Sequence, residues 1–255
     1  MPIAKVNNIN MYYEVYGNGE TLIIIRGIGA EITSFGAPEV ATKFAHNYKV
    51  ISFDNRGVGR TDKPGEPYSI EMMAEDTVGL MDVLGIQRAH VLGSSMGSCI
   101  AQTIAAKYPE RVNGLILHVA TARLPLSMKI MGGIMRKIPG SRKKMVREMD
   151  VIFKQKYPPT LDSLLRQGDA MSKYDGRRSL RLIKAPTLIV CATKDQFFGM
   201  KCSNELYKGI SNSRIVEVDG GHEFAWTQPD MLVKPALEFL TGIDGGSTAE
   251  ITKKV

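Results

Sequence analysis

The 255-residue chain has only three cysteines, Cys99, Cys191 and Cys202, and no two of them stand in CxxC spacing. So sparse and odd a set excludes a disulfide framework and gives no cysteine zinc site; each reads as a small buried hydrophobe. Long apolar runs are also missing. No segment is apolar for the roughly 18 residues needed to cross a bilayer, so no transmembrane segment is expected. The N-terminal MPIAKVNNINMYYEVYG has neither the apolar core nor the cleavage site of a secretory signal, and a cytoplasmic location is expected. Internal repeats and low-complexity tracts are absent.

What is present is a 44% apolar composition, enough to bury a core in one large domain or in a domain carrying an insertion. The formal net charge of +7 is unevenly placed. Residues 121–184 hold 16 Lys and Arg against 5 Asp and Glu, while the remainder holds 17 against 21. The middle of the chain is thus a basic segment in an otherwise acidic protein.

Runs of β-branched and aliphatic residues recur along the chain: IAKVNN, INMYYEVYG, TLIIIRG, KVISFD, RAHVLG, VNGLILHVA, APTLIVCATKD and SRIVEVDG. The unbroken ones predict strands covered on both faces. Helical patterns fall between them near 36–46, 69–84, 96–108, 199–210 and 230–241. That alternation predicts an α/β fold with a mostly parallel sheet wrapped by helices. It is interrupted once. From 121 to 184 there is no strong strand pattern, and Pro139-Gly140 and Pro158-Pro159 punctuate a stretch rich in Met, Lys and Arg, which fits an inserted helical subdomain.

The stretch GSSMG, 93–97, follows one apolar run and opens a helical pattern. A strand that turns at once into a helix holds its middle residue, Ser95, in a strained conformation, and only side-chain-free flanks let neighbouring chain approach. The Ser95 hydroxyl is then raised at a helix N-terminus, with the N–H of Met96 aimed at any oxyanion formed beside it. A base is needed, and there are four histidines. His90 and His118 lie inside strand patterns and His46 ends a helix, which suits structural roles. His222, in VDGGHEFAW, sits past the last strand, at the sheet edge where ligands bind in such folds. Asp195 ends the preceding strand and is placed to orient that histidine. Asp219, three residues from His222, suits a turn cap, and Asp54, with Arg56, suits a brace for a glycine-rich loop. RGIG, 26–29, is placed to supply a second donor, the N–H of Ile28.

At this point the sequence resembles the α/β-hydrolase family, through GSSMG at 93–97, DNRGVGRTD at 54–62, KD at 194–195 and GGH at 220–222, in the family's order. The resemblance implies a doubly wound, eight-stranded, mostly parallel sheet, with a helical cap inserted after strand 6. The core is expected at 1–120 and 185–255 and the cap at 121–184. It implies Ser95 as nucleophile, His222 as base, Asp195 as acid, and the Ile28 and Met96 N–H groups as oxyanion hole. Two departures stand out: Arg26-Gly27 where many relatives have His-Gly, and Ser94 where His is common. A serine nucleophile disfavours the haloalkane dehalogenase and epoxide hydrolase branches.

The expected reaction is hydrolysis of a small carboxylic ester or lactone, with no metal and no organic cofactor. Carbon–carbon bond hydrolysis, thioester hydrolysis and a non-catalytic binding role on the same scaffold are the alternatives. Met128, Met131, Ile134, Met135 and Ile138 recur at helical spacing, interrupted by Gly132 and Gly133; they either pack a lid helix onto the core or line an acyl pocket. The basic insertion is either a solvated face or an attractor of an anionic substrate, carrier or lipid surface; no nucleic-acid-binding module accompanies it. Arg26 either binds a substrate carboxylate or braces its loop, and Trp226 either lines the mouth or packs. A monomer or homodimer is expected.

Overall fold

The computed structural model describes residues 2–135 and 137–245. The chain opens with a hairpin of β1 (Ile3–Val6) and β2 (Ile9–Tyr16), turned at Asn7 with φ 51°. It continues through β3 (Thr21–Ile25), α1 (Ala37–Phe44), β4 (Lys49–Phe53), α2 (Ile70–Val83), β5 (Ala89–Ser94), α3 (Met96–Lys107) and β6 (Val112–His118). After three helices come β7 (Thr187–Ala192), α7 (Gly199–Gly209), β8 (Ser213–Val218), the short α8 (Phe224–Thr227) and α9 (Asp230–Asp244). All eight strands form one sheet in the order β1-β2-β4-β3-β5-β6-β7-β8. The pairs β1·β2 and β2·β4 are antiparallel and the others parallel.

The uninterrupted apolar strands are covered on both sides, as their sequences require. Along β3, Ile23 and Ile25 join the core under α2 and α3, while Leu22 and Ile24 join the core under α1 and α9. Leu115 and Leu117 of β6 face the first core and Ile116 the second. Each such side chain contributes about 1.5–3 kcal/mol by burial. Local chemistry sets several helix starts. Ser69 accepts from the Met72 N–H at the head of α2, and Pro38 occupies the first turn of α1, where its missing N–H costs nothing.

The interval between β6 and β7 contains α4 (Leu126–Met135), α5 (Ser141–Phe153) and α6 (Leu161–Lys173). Its two ends are zipped by an antiparallel bridge between Arg123 and Asp175 and by Gly176 N–H donating to the Ala122 carbonyl. α6, capped by the Thr160 hydroxyl, buries Leu164, Ala170 and Met171. α4 differs from the expectation in two ways. It runs through Gly132 and Gly133 without a break, because the helical ladder tolerates glycine at a cost of about 1 kcal/mol each. Its apolar residues are also divided: Met128 packs on the core, whereas Leu126, Ile130, Met131 and Ile134 face solvent, Met131 being 55% exposed. The alternative of an enclosing pocket wall therefore does not hold for Met131, and the expectation for Met135 falls on a side chain outside those described. Among the described residues no helix is long and apolar enough to cross a membrane.

Candidate active site

Ser95 stands between the last residue of β5 and the first of α3, with φ 55° and ψ −119°. A non-glycine residue there is strained by about 1–3 kcal/mol and persists only where its surroundings dictate it. The two flanking glycines supply that dictation. A Cβ on Gly93 would lie 2.4 Å from the Gly97 carbonyl oxygen, and one on Gly97 would lie 2.2 Å from that of Ile25. The helix start is thus pressed onto the end of β3, and the GxSxG spacing is a packing requirement. Gly97→Ala should destabilise the protein by about 3 kcal/mol, since both obstructing atoms are backbone and cannot swing away. An unchanged urea midpoint would refute this.

His222 lies in the loop after β8 and Asp195 three residues beyond β7, so all three side chains reach the carboxyl edge of the parallel strands. The Ser95 hydroxyl and His222 Nε2 are 3.0 Å apart, and His222 Nδ1 and Asp195 Oδ2 are 2.9 Å apart. The other Asp195 oxygen accepts the backbone N–H groups of Phe197 at 2.8 Å and Phe198 at 3.2 Å. Burial pushes the Asp195 carboxyl upward, but the His222 contact and these two N–H donors outweigh it and hold the group below the ordinary carboxylate range. The Phe197 and Phe198 rings stand edge-on to the imidazole at 5.1 and 5.2 Å and restrict its tilt. With Asp195 ionised, the imidazole tautomer carrying its proton on Nδ1 is favoured, leaving Nε2 to accept from the serine hydroxyl.

The rival carboxylates are placed elsewhere. Asp219 is exposed and paired with Lys194 and Thr193. Asp54 is buried and accepts the N–H groups of Ile32 at 2.9 Å and Arg60 at 2.9 Å; burial is the main reason its carboxyl is pushed up to about 6. Arg56 forms a two-point pair with Asp76 and a third contact with Glu66. Both therefore tie the 54–62 loop to its surroundings.

Gly27 brings the loop after β3 against the serine: a Cβ there would be 3.2 Å from the Ser95 Cβ. Ala30 N–H donates to the Gly27 carbonyl at 3.3 Å, closing a tight turn with Ile28 and Gly29 at its centre. Gly29 has φ 69°, a conformation suited to glycine. Met96 is the first residue of α3, so its N–H has no acceptor within the helix. Arg26 resolves to the bracing alternative. It is buried and donates to the Ser52 hydroxyl at 2.9 Å and the Ala37 carbonyl at 3.4 Å, so the guanidinium is not offered to a substrate. Trp226 is half-buried and packs edge-on against Phe153 of α5 at 5.0 Å, while its backbone abuts Gly36. Among the described residues no group of three His, Cys, Asp or Glu side chains is arranged to hold a metal ion.

His118 takes the structural role that its strand pattern suits, while two further features, Glu31 and Gln167, had no signal in the sequence. His118 carries the carbonyl that accepts the Ser95 N–H at 3.0 Å, and its Nδ1 lies 2.8 Å from the Ser94 hydroxyl. Burial, reinforced by His222, drives its imidazole down to about 3, so it stays neutral behind the serine. Glu31 is fully buried and accepts the N–H groups of Thr33 at 2.7 Å and Lys156 at 3.1 Å, joining the loop after β3 to the segment between α5 and α6. Gln167 of α6 accepts the Gly29 N–H at 2.9 Å and donates to the Arg56 carbonyl at 2.8 Å.

A family model described as the alpha/beta hydrolase fold matches residues 20–151. A protein named putative carbamate hydrolase RutD, from Azorhizobium caulinodans, is 29% identical, with 96% of this chain and 100% of that one aligned. Among solved structures, the enol-lactonase from Burkholderia xenovorans LB400 superposes with a TM-score of 0.80 at 24% identity, covering 94% of this chain and 100% of its own. A thermophilic esterase from Thermogutta terrifontis also gives 0.80, at 22% identity over 95% of this chain and 99% of that one.

Proposed function

The chain belongs to the alpha/beta hydrolase fold family, and from that premise we propose that it is a serine hydrolase cleaving a carboxylic ester or lactone through an acyl-enzyme. The observation that carries the reading is the continuous contact from Asp195 through His222 to a hydroxyl on a strained strand-to-helix turn. In the first half-reaction His222 Nε2 takes the Ser95 proton as the oxygen attacks the carbonyl carbon, and Asp195 stabilises the imidazolium. The developing oxyanion is received by the N–H groups of Ile28 and Met96. His222 then passes its proton to the leaving alcohol. In the second half-reaction it draws a proton from water, which attacks the ester of Ser95, and returns that proton to the departing serine oxygen as the acid is released.

Among the described residues, those of 121–184 act as the cap over this site and the others as the core. The substrate is a small molecule, and the excess of basic residues in the cap favours one that carries negative charge. A cytoplasmic location goes with this reading. Carbamate hydrolysis, the activity named for the Azorhizobium relative, is also an attack on a carbonyl carbon and lies within reach of the same groups.

A fluorophosphonate probe, followed by peptide mass spectrometry, and a series of p-nitrophenyl esters from acetate to laurate test the proposal. Labelling at Ser95 together with ester turnover is the expected result, and the preferred acyl length measures the space under the cap. Labelling without ester turnover would move the substrate to lactones, carbamates, thioesters or diketones. No labelling would overturn the hydrolase reading in favour of a binding role.

A further inference from the structure

We propose that Gln167, on α6, is a positioning residue that sets the oxyanion donor of Ile28 through the turn that contains it. The inference rests on the reading of Ile28 given above. In the turn from Gly27 to Ala30, Gly29 at φ 69° is the third residue, as in a type II turn. The competing type I turn differs chiefly in the peptide between Ile28 and Gly29, which is rotated by about half a revolution. The Ile28 N–H belongs to the preceding peptide and is not turned by that rotation itself; it moves because a turn that loses its Gly29 bond loses its seat on α6 and shifts as a body beside Ser95. The N–H that reports the peptide's orientation is that of Gly29, and the Gln167 carbonyl oxygen accepts it at 2.9 Å.

The amide cannot serve equally well turned over. Its nitrogen donates to the Arg56 carbonyl at 2.8 Å, so reversal would face acceptor to acceptor and donor to donor. The side chain is fully buried. The next residue, Gly168, stands beside Ile28: a Cβ there would be in ordinary contact, 3.7 Å from the Ile28 Cδ1. Further ties hold the chain just downstream: Ile32 N–H to Asp54 at 2.9 Å, Phe35 N–H to the Phe153 carbonyl at 2.7 Å, Lys156 N–H to Glu31, and the Ser34 hydroxyl to Gln155. These fix where the loop goes; among the described residues Gln167 is the side chain that hydrogen-bonds the turn itself. A helix of the interval between β6 and β7 thus governs a backbone donor in the sheet core, and displacement of α6 would disarm the site without moving Ser95, His222 or Asp195.

Gln167→Met keeps length and volume but offers neither bond. With active sites counted by the p-nitrophenol burst, kcat per site is expected to fall about 30-fold, with KM within about threefold, the loss typical of a misplaced transition-state donor. The rate of labelling by the fluorophosphonate should fall in parallel, because its tetrahedral adduct needs the same donor. Gln155→Met is the control: it removes another link between these segments, Ser34 hydroxyl to Gln155 at 3.1 Å, and should leave kcat per site unchanged. If Gln167→Met does not fold, Gln167→Glu at about pH 6 replaces it. Burial favours the neutral carboxyl, which supplies both an acceptor and a hydroxyl donor, so kcat should be held within about threefold of wild type. Folded Gln167→Met with kcat per site within twofold of wild type overturns the inference, as does a folded Gln167→Glu that has lost 30-fold at that pH. Wild-type turnover in the same assay keeps the hydrolase reading standing when the inference fails, and an unlabelled wild type sinks both.

Discussion

Ser95→Ala should lose at least about a thousandfold in kcat and up to about a millionfold, the range seen when a triad nucleophile is removed. The size follows from position. Among the described residues the Ser95 hydroxyl is the nucleophile in contact with His222 Nε2, at 3.0 Å; Cys99, one turn along α3, is buried and its thiol is pushed up to about 12. Residual rate would come from water attacking a substrate still held by the oxyanion donors. The replacement keeps a Cβ, so the positive φ is neither relieved nor worsened, and the tight contacts at Gly93 and Gly97 do not involve the lost oxygen. The far-ultraviolet spectrum and melting temperature should therefore match wild type. A variant that turns over at near-normal rate would remove Ser95 from the mechanism altogether.

Asp195→Asn should cost about ten-thousandfold in kcat. An amide that donates from the position of Oδ2 forces His222 to accept on Nδ1 and carry its proton on Nε2, the nitrogen that must take the Ser95 proton. The alternative rotamer, with the amide nitrogen toward Phe197 and Phe198, sets donor against two backbone N–H groups. The same variant has a stability signature with a defined sign. Because the folded state holds the Asp195 carboxyl below its unfolded value of 3.8, the ionised carboxylate stabilises the fold above that pH, and this contribution is lost as pH falls through the folded value. The urea midpoints of wild type and Asp195→Asn should therefore differ most near neutrality and converge below about pH 4. A gap that widens with acid would contradict the assignment of Asp195 as the ionised partner.

The parts of the fold and site legible in the sequence are those encoded within a few neighbouring residues. GSSMG states its strand, its elbow and its helix within five positions, and Asp195 and His222 each follow a strand that its own apolar run declares. The loop role of Asp54 and Arg56 was legible for the same reason. Pairings over long separations were not. Gln167 sits in an amphipathic helix where nothing local marks it, because its partners are 138 and 111 residues away. Arg26 carried two readings until its burial against Ser52 and Ala37 separated them. The end of α9 was expected near 241, yet the helix runs to Asp244, whose carboxylate takes the Tyr48 hydroxyl at 2.8 Å and meets His90 Nε2 at 2.9 Å. α4 was misjudged because an amphipathic pattern states that one face is apolar, and not what covers it.

The strand order also carries a consequence for how the protein is made. The central strand that leads into Ser95 pairs with β3 and β6, all of them complete by residue 118, whereas His222 follows β8 at the far edge, 127 residues after Ser95. At ribosomal speeds of about 5–20 residues per second, that interval lasts roughly 6–25 seconds. Throughout it the nascent chain carries Ser95 without His222. On the proposed mechanism hydrolytic competence arrives only once the His222 loop has docked, so a chain interrupted in between is expected to be inactive.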